Sequence, residues 1–355
     1  MPADSSGSNP KGVAAETAGL PSPGEAAPNP DSIRTPAFAG VRLPSPFFLA
    51  PVAGYSDAAF RSVCYEMGAA LCYTEMVSAE ALTRDHPKTK LLLDRSDSEE
   101  RYAIQLFGAK PDVLARAAAL ASAYAPLIID LNCGCPVPKI VRSGAGSSLL
   151  KNPTLIGEIV AAMRSETDIP ITVKIRKGWD EDSVNFLETA DAAVQAGAAA
   201  VTLHGRTRAQ GYGGKADWAA IAALKAALAP SGVPVFGSGD VFGARAALRM
   251  LAETGCAGVM VARGAMGNPC IFAELVALWE GKPIPAFSDA EVAALAARHL
   301  ERSVHFLGEK TACVEFRKHF CAYSKGRPRG AALRERAVHC STVAEFGEVL
   351  AEFGA

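Results

Sequence analysis

Pro126-Leu127-Ile128-Ile129-Asp130-Leu131-Asn132-Cys133-Gly134-Cys135-Pro136 is an apolar run, broken by a single carboxylate, that stops in a small polar cluster carrying two thiols. Bounded by a Gly/Pro break, such a run reads as a parallel strand buried on both faces, and residues past its carboxyl end then face a ligand crevice. Asn132 and Cys135 are expected at that rim. The competing reading is that Cys133 and Cys135 only fill space, since free cysteine is among the most buried residue types. The rest of the chain decides between them.

Working outward, the same kind of run recurs at Phe47–Ala50, Leu71–Thr74, Tyr102–Leu106, Leu127–Leu131, Ile171–Ile175, Ala200–His204, Val233–Phe236 and Gly258–Val261. Ala-rich amphipathic stretches, such as Val113–Leu120 and Phe186–Val194, separate most of them and read as helices closing βα units. Eight such units predict an α/β fold, a (β/α)8 TIM barrel spanning residues 37–284. The rival, a doubly wound open sheet, would place Gly-x-Gly-x-x-Gly after an early strand, and none stands there.

A barrel mounts its chemistry at the carboxyl ends of several strands. Here those ends offer Pro51 to Gly54, Glu75, Gln105, Asn132 with Cys135, Lys174 with Arg176, His204 with Arg206, Ser238 to Asp240, and Arg263 with Gly264. Ordinary turns supply polar residues too, but such groups at so many strand ends, several of them cationic or amide, are harder to attribute to turns. The last two ends, Phe236 to Asp240 and Ala262-Arg263-Gly264, sit where barrels hold a phosphate on backbone N–H groups beside a guanidinium.

The 355 residues are 49% hydrophobic, enough to bury a barrel core and a smaller appendage. No run approaches the ~20 apolar residues of a membrane span, and no secretory signal opens the chain, so a cytoplasmic protein is expected. Nine cysteines without a Cys-x-x-Cys pair argue against a disulfide framework and against a zinc or iron–sulfur site, so no metal is expected. Residues 1–36, rich in Pro, Gly, Ser and Ala, read as a disordered tail.

Residues 285–355 change to long helical periodicity, with Cys313, Phe316, Phe320 and Tyr323 on one face, and predict a small helical C-terminal domain. Between Lys310 and Arg336 stand eight cations, Arg317, Lys318, Arg327 and Arg329 among them, against Glu315 and Glu335. That is the pattern of a phosphate-neutralising RNA surface, or of a solvated helix face.

Several blocks, in order, resemble the tRNA-dihydrouridine synthases, most nearly the bacterial B-type branch: Ala50-Pro51-Val52-Ala53-Gly54-Tyr55-Ser56-Asp57, Thr74-Glu75-Met76, Gln105-Leu106-Phe107-Gly108, Asp130 to Pro136, Val173-Lys174, His204-Gly205-Arg206-Thr207 and Arg263-Gly264-Ala265. Two departures stand out: Gly237-Ser238-Gly239-Asp240 replaces the family's usual Gly-Asn-Gly-Asp, and Ala262 replaces a Gly. Neither removes a backbone N–H, but any side-chain amide contact there is lost.

The resemblance implies an enzyme that reduces specific uridines in tRNA, with FMN as cofactor and NADPH as electron donor. It implies Pro51, Val52 and Ala53 against the flavin ring, Gln105 and Lys174 at its polar edge, and His204, Ser238, Gly239, Asp240, Ala262 and Arg263 at its ribityl-phosphate end. A cation beside the ring stabilises its anionic reduced form, so Lys174 tunes the flavin unless Glu75 neutralises it. His204 as a satisfied core histidine stays open.

Reducing a uracil double bond needs a hydride on one carbon and a proton on its neighbour. By likeness Cys135, the cysteine of the Gly-Cys-Pro triplet, is the acid, and an ordinary thiol keeps its proton at neutral pH. Asn132 and Arg206 are expected to hold the uracil edge. The stretch from Lys139 and Arg142 to Gly146 reads as a Gly-rich lid that also meets RNA. Two other functions fit less of the sequence: a barrel flavin oxidoreductase for a free pyrimidine or enone, which needs no basic helices, and a noncatalytic RNA-binding relic.

Overall fold

In a computed structural model of the chain, residues 37–38 and 40–355 are described. The tail expected over 1–36 lies outside the described residues. A short antiparallel hairpin, β1 (Ala37–Phe38) and β2 (Val41–Arg42), precedes the main sheet. Eight parallel strands follow: β3 (Phe47–Leu49), β4 (Leu71–Ser78), β5 (Tyr102–Phe107), β6 (Ile128–Cys133), β7 (Ile171–Arg176), β8 (Ala200–His204), β9 (Val235–Ser238) and β10 (Gly258–Val261). They close into a barrel, with β10 pairing back onto β3.

Every expected strand is present, β8 and β10 with the expected ends and the others with shifted ones. The largest consequence falls on β6, where Asn132 pairs with Lys174 and Cys133 with Ile175. The ladder therefore carries Asn132 inside the strand, and the rim begins at Gly134. β9 starts only at Val235, since Pro234 has no N–H for the ladder and contributes just its carbonyl, to the Val201 N–H at 3.1 Å.

Parallel pairing fixes which side chains share a layer inside the barrel. Gln105 is opposite Asp130 and Asp130 opposite Thr172; above them Asn132, Lys174 and Thr202 form the next layer, and Arg176, His204 and Ser238 the one after. The bottom of the barrel is apolar, filled by Phe48, Leu71, Tyr73, Phe236 and Met260. The polar layers thus open at one end only. Outside, Leu106, Leu114, Ile129, Ile159, Val173 and Ile221 belong to the continuous core between strands and helices. At about 25 cal/mol per Å² of apolar surface, burial on this scale is the main stabilising term.

Four helices follow the barrel, Asp289–Leu307, Glu309–Tyr323, Gly330–Ala337 and Val343–Gly354, around their own core of Leu300, Phe316, Phe320, Phe346 and Phe353. A Ser288/Glu291 capping box opens the first and a Thr342/Glu345 box the last. The set docks on the helix Ala58–Glu66. There Glu66 meets Arg298 at 2.9 Å and also Arg302, while Val63 packs with Leu295 and Cys270. No helix of the described residues is long and apolar enough to cross a membrane.

Candidate active site

The open end of the barrel holds a cavity of about 450 Å³, within the range of small-molecule sites. Pro51, Val52, Ala53, Gln105, Asn132, Cys135, Lys174, His204, Ser238, Gly239, Asp240, Ala262 and Arg263 all line it. The barrel brings these positions together because each stands at, or just past, a strand's carboxyl end. Met76, Val137, Arg176, Tyr212, Phe242 and Met266 line it as well. Arg176 was visible two residues beyond Lys174, on the same face of β7; Tyr212 and Phe242 lie in loops and gave no periodic signal.

The two thiols of the opening motif part company. Cys133 points into the barrel wall with no exposure, whereas the half-buried Cys135 faces the cavity. Burial pushes the Cys135 thiol above its ordinary range, against the pull of Arg176 and Lys174, so it carries its proton at neutral pH. Its backbone is held from two sides. The N–H donates to Asn132 Oδ1 at 2.9 Å, and the carbonyl accepts the Ser147 N–H at 3.0 Å and hydroxyl at 2.9 Å. The stretch expected as a Gly-rich lid is ordered around that tether: a short helix, Pro138–Arg142, then a 3-10 turn, Gly146–Lys151. Gly146 is forced there, since a Cβ would come within 2.8 Å of the Cys135 carbonyl oxygen.

Three cations face the cavity. The Lys174 amine has no hydrogen bond or ion pair among the described residues, and burial, reinforced by Arg176, lowers its pKa to about 8. Glu75 does not neutralise it; that carboxylate accepts the Gly54 N–H instead. Arg176 binds the carbonyls of Gly134 at 2.8 Å and Thr207 at 2.9 Å, joining two loops. Arg263 lies between Tyr212 and Phe242, 4.5 and 5.0 Å from their ring centres, and bonds Asp240 at 3.0 Å.

Arg206 departs from its expected place at the substrate. It is absent from the cavity wall and only 2% exposed, committed to Asp240 and to the carbonyls of Gly213 and Gly214. Its fork matches a carboxylate, and the loop geometry supplies one. His204 is not the satisfied core histidine: its Nδ1 is buried with no hydrogen-bond partner. Burial, then the charges of Lys174 and Arg176, lower its pKa to about 2, so the ring stays neutral. Beside it Gly239 has φ +123°, and a Cβ there would sit 2.7 Å from Ala216 Cβ and 3.3 Å from the His204 ring.

The remaining expected residues lie outside the cavity. Lys139 and Arg142 are exposed on the short helix beyond Cys135. In the helical domain Arg317 binds the Cys340 carbonyl at 2.8 Å, Arg327 pairs with Asp289, and Lys318 pairs with Glu315. Arg329 is exposed, as are Lys310 and Lys325, and their side chains form no hydrogen bond or ion pair among the described residues.

The fold also makes a polar contact that cysteine counting could not anticipate. Donor atoms of Asp57, His299 and His319 lie within 4.8 Å of one another between barrel and helices, with His319 Nε2 3.4 Å from Asp57 Oδ2. The His319 ring also packs edge-on against Tyr55, a cavity residue, at 5.1 Å. The helical domain thus buttresses the first loop of the site.

A family profile described as "Dihydrouridine synthase (Dus)" matches residues 48–353. A protein of Treponema pallidum named "Probable tRNA-dihydrouridine synthase" is 47% identical over 85% of this chain and 91% of its own. One from Pseudomonas aeruginosa named "tRNA-dihydrouridine synthase B" is 35% identical over 86% of this chain and 93% of its own. Among solved structures, a histamine dehydrogenase from Rhizobium sp. 4-9 superposes with a TM-score of 0.54 at 13% identity, over 77% of this chain and about half (51%) of its own, which is a likeness of fold.

Proposed function

This chain belongs to the dihydrouridine synthase family, and from that premise we propose that it reduces uridines in tRNA to 5,6-dihydrouridine, using FMN and NADPH. The observation that carries the reading is the cavity itself, in which a protonated thiol, a cationic amine and a partnerless neutral histidine face one space.

The residues present fit a flavin. His204 Nδ1 lacks a partner that a bound ligand would supply, and Gly239 keeps the wall beside it free of a Cβ. Pro51, Val52 and Ala53 offer an apolar face for a ring. Ser238, Gly239, Ala262 and Arg263 would hold the phosphate end, where Asp240's charge is offset by Arg206 and Arg263. Bound there, reduced flavin supplies a hydride. Lys174 stands ready to balance the negative charge of a reduced ring.

The protein's own part of the chemistry is a proton held at Cys135 Sγ. The thiol donates as negative charge develops on the neighbouring carbon, and its raised pKa keeps it loaded. Asn132 and Gln105 present amide N–H groups to carbonyl oxygens of the ring. Exposed Lys139, Arg142, Lys310, Lys325 and Arg329 supply phosphate contacts outside the pocket, which orient a folded RNA so that one extruded base reaches the thiol.

The test is direct. Purified protein, freed of nucleic acid, is analysed for bound flavin and incubated with NADPH and unmodified tRNA, and digested nucleosides are resolved by mass. Bound FMN and a nucleoside two mass units above uridine are expected. Protein that binds flavin but leaves tRNA unchanged, while reducing a free pyrimidine or an enone, would assign the site to a small-molecule flavin reductase, and protein that binds no flavin would overturn the reading.

A further inference from the structure

We propose that Asp130 is a positioning residue that sets the hydrogen-bonding polarity of the cavity, turning Gln105 and Asn132 so that both offer only donors to the bound ring. The inference rests on the function proposed above and concerns how the same site recognises ring carbonyls.

Asp130 has no solvent exposure and touches neither the cavity nor a cation through a hydrogen bond. Its oxygens accept the Thr172 hydroxyl at 2.6 Å and Gln105 Nε2 at 2.7 Å. An ionised carboxylate accepts only, so the nitrogen end of Gln105 must face it. The Gln105 oxygen is thereby turned toward Asn132, whose Nδ2 donates to it at 2.7 Å. That in turn directs Asn132 Oδ1 to the N–H groups of Gly134 at 3.1 Å and Cys135 at 2.9 Å.

The relay leaves a simple inventory. Each amide group has two N–H bonds, one of them spent within the relay; the other is uncommitted on Gln105, and on Asn132 it meets only the thioether sulfur of cavity-lining Met76 at 3.8 Å, a weak acceptor that a carbonyl oxygen would displace, while both amide oxygens are occupied. The cavity therefore receives two N–H donors from this wall, matched to carbonyl oxygens. Buried relays of this kind are costly when one member is unmatched, so the orientation is strongly enforced. The same relay ends on the backbone N–H of Cys135, linking ring recognition to the seat of the thiol.

The test uses Thr172→Val, Asp130→Asn and their combination. With Thr172→Val, Asp130 still accepts from Gln105, so FMN affinity, read by quenching of flavin fluorescence, stays within about 2-fold of the parent. In the double variant the substituted amide can offer Gln105 either its oxygen or its nitrogen, with no hydroxyl to arbitrate. FMN affinity and kcat/KM for tRNA should then fall about 10-fold or more, beyond the product of the single effects, with an unchanged circular dichroism spectrum. If the double variant does not fold, Asp130→Asn alone should lower kcat/KM about 3-fold or more.

A ligand-free readout separates this idea from the function itself. With 15N-glutamine labelling, the Gln105 side-chain protons should show one strongly hydrogen-bonded resonance in the parent and in Thr172→Val, lost in the double variant. A resonance unchanged in the double variant overturns the role of Asp130, whatever the protein does with tRNA. A parent protein with the resonance but no flavin and no dihydrouridine overturns only the function.

Discussion

Arg206 grips Asp240 with both arms of its guanidinium, Nη1 to Oδ1 at 2.8 Å and Nη2 to Oδ2 at 2.7 Å. Asp240 sits in the left-handed region at φ +57° and also accepts the Ala216 N–H at 2.8 Å and Arg263 at 3.0 Å. One carboxylate thus ties together the loops after β8, β9 and β10. Burial alone would raise its pKa; the bond to Arg206 prevails and holds it below the usual carboxylate value.

Arg206→Lys should therefore behave as a structural lesion. Lys cannot reproduce the two-pronged bond and leaves carbonyls of Gly213 and Gly214 without their donor. A loss of about 3 kcal/mol in urea unfolding is expected, as for a buried pair deprived of one partner, together with weaker flavin retention. Full stability with a raised KM for tRNA would instead place Arg206 at the substrate.

The two cysteines of the motif should separate cleanly. Cys135→Ala removes the cavity thiol and should abolish dihydrouridine formation while leaving bound flavin and its reduction by NADPH intact. Cys133→Ala, a change in the barrel wall, should retain activity and lose about 1 kcal/mol of stability. The reverse pattern of activities would show that the wrong sulfur has been assigned.

Lys174 predicts an alkaline limb in the rate of flavin reduction. Its pKa is lowered to about 8, by burial first and by Arg176 next, so the cation is present below that pH and is lost as pH rises through it. Flavin reduction should hold steady near pH 7 and decline above about 8, while Lys174→Met should be slow throughout and lack this limb. Cys135 does not set the limb, because burial keeps its proton to still higher pH. An unchanged limb in Lys174→Met, measured by stopped-flow absorbance, would remove Lys174 from the assignment.

The basic helices divide into structural and free cations. Replacing Lys310, Lys325 and Arg329 together should weaken tRNA binding and reduce the slope of log K against log salt by roughly 0.7 to 0.9 for each phosphate that is no longer neutralised. Arg317→Ala should chiefly lower the melting temperature, because its guanidinium caps the Cys340 carbonyl. If the triple variant keeps the parent slope, the RNA contacts lie elsewhere, and Lys139 with Arg142 become the next pair to replace.

The barrel was legible in the sequence because strands buried on both faces must be apolar throughout, and eight such runs recur. The hairpin at Ala37–Arg42 was not, because strands of two residues carry no periodicity. Several strand ends were misplaced, by up to four residues at the end of β4, for a related reason. Asn132 is polar, so it read as the residue past the strand, yet its backbone continues the ladder opposite Lys174.

Sequence by itself determined most of the roster of the cavity, since a parallel barrel delivers whatever follows each strand to a single rim. Tertiary structure alone decided which members of that roster are free to act. Arg206 and Arg176 look equivalent as strand-end guanidiniums, and only the loop around Asp240 takes one out of the cavity and leaves the other in its wall. Cys133 and Cys135 are two residues apart, and only the end of β6 packs one into the core between strands and helices and releases the other to the cavity. Asp130 read as a flaw in an apolar strand, and became a hydrogen-bond acceptor only when closure placed Gln105 and Thr172 on either side of it. The physical reason is common to all three: a side chain's chemistry is written in its own residue, but its partners arrive from strands far away along the chain.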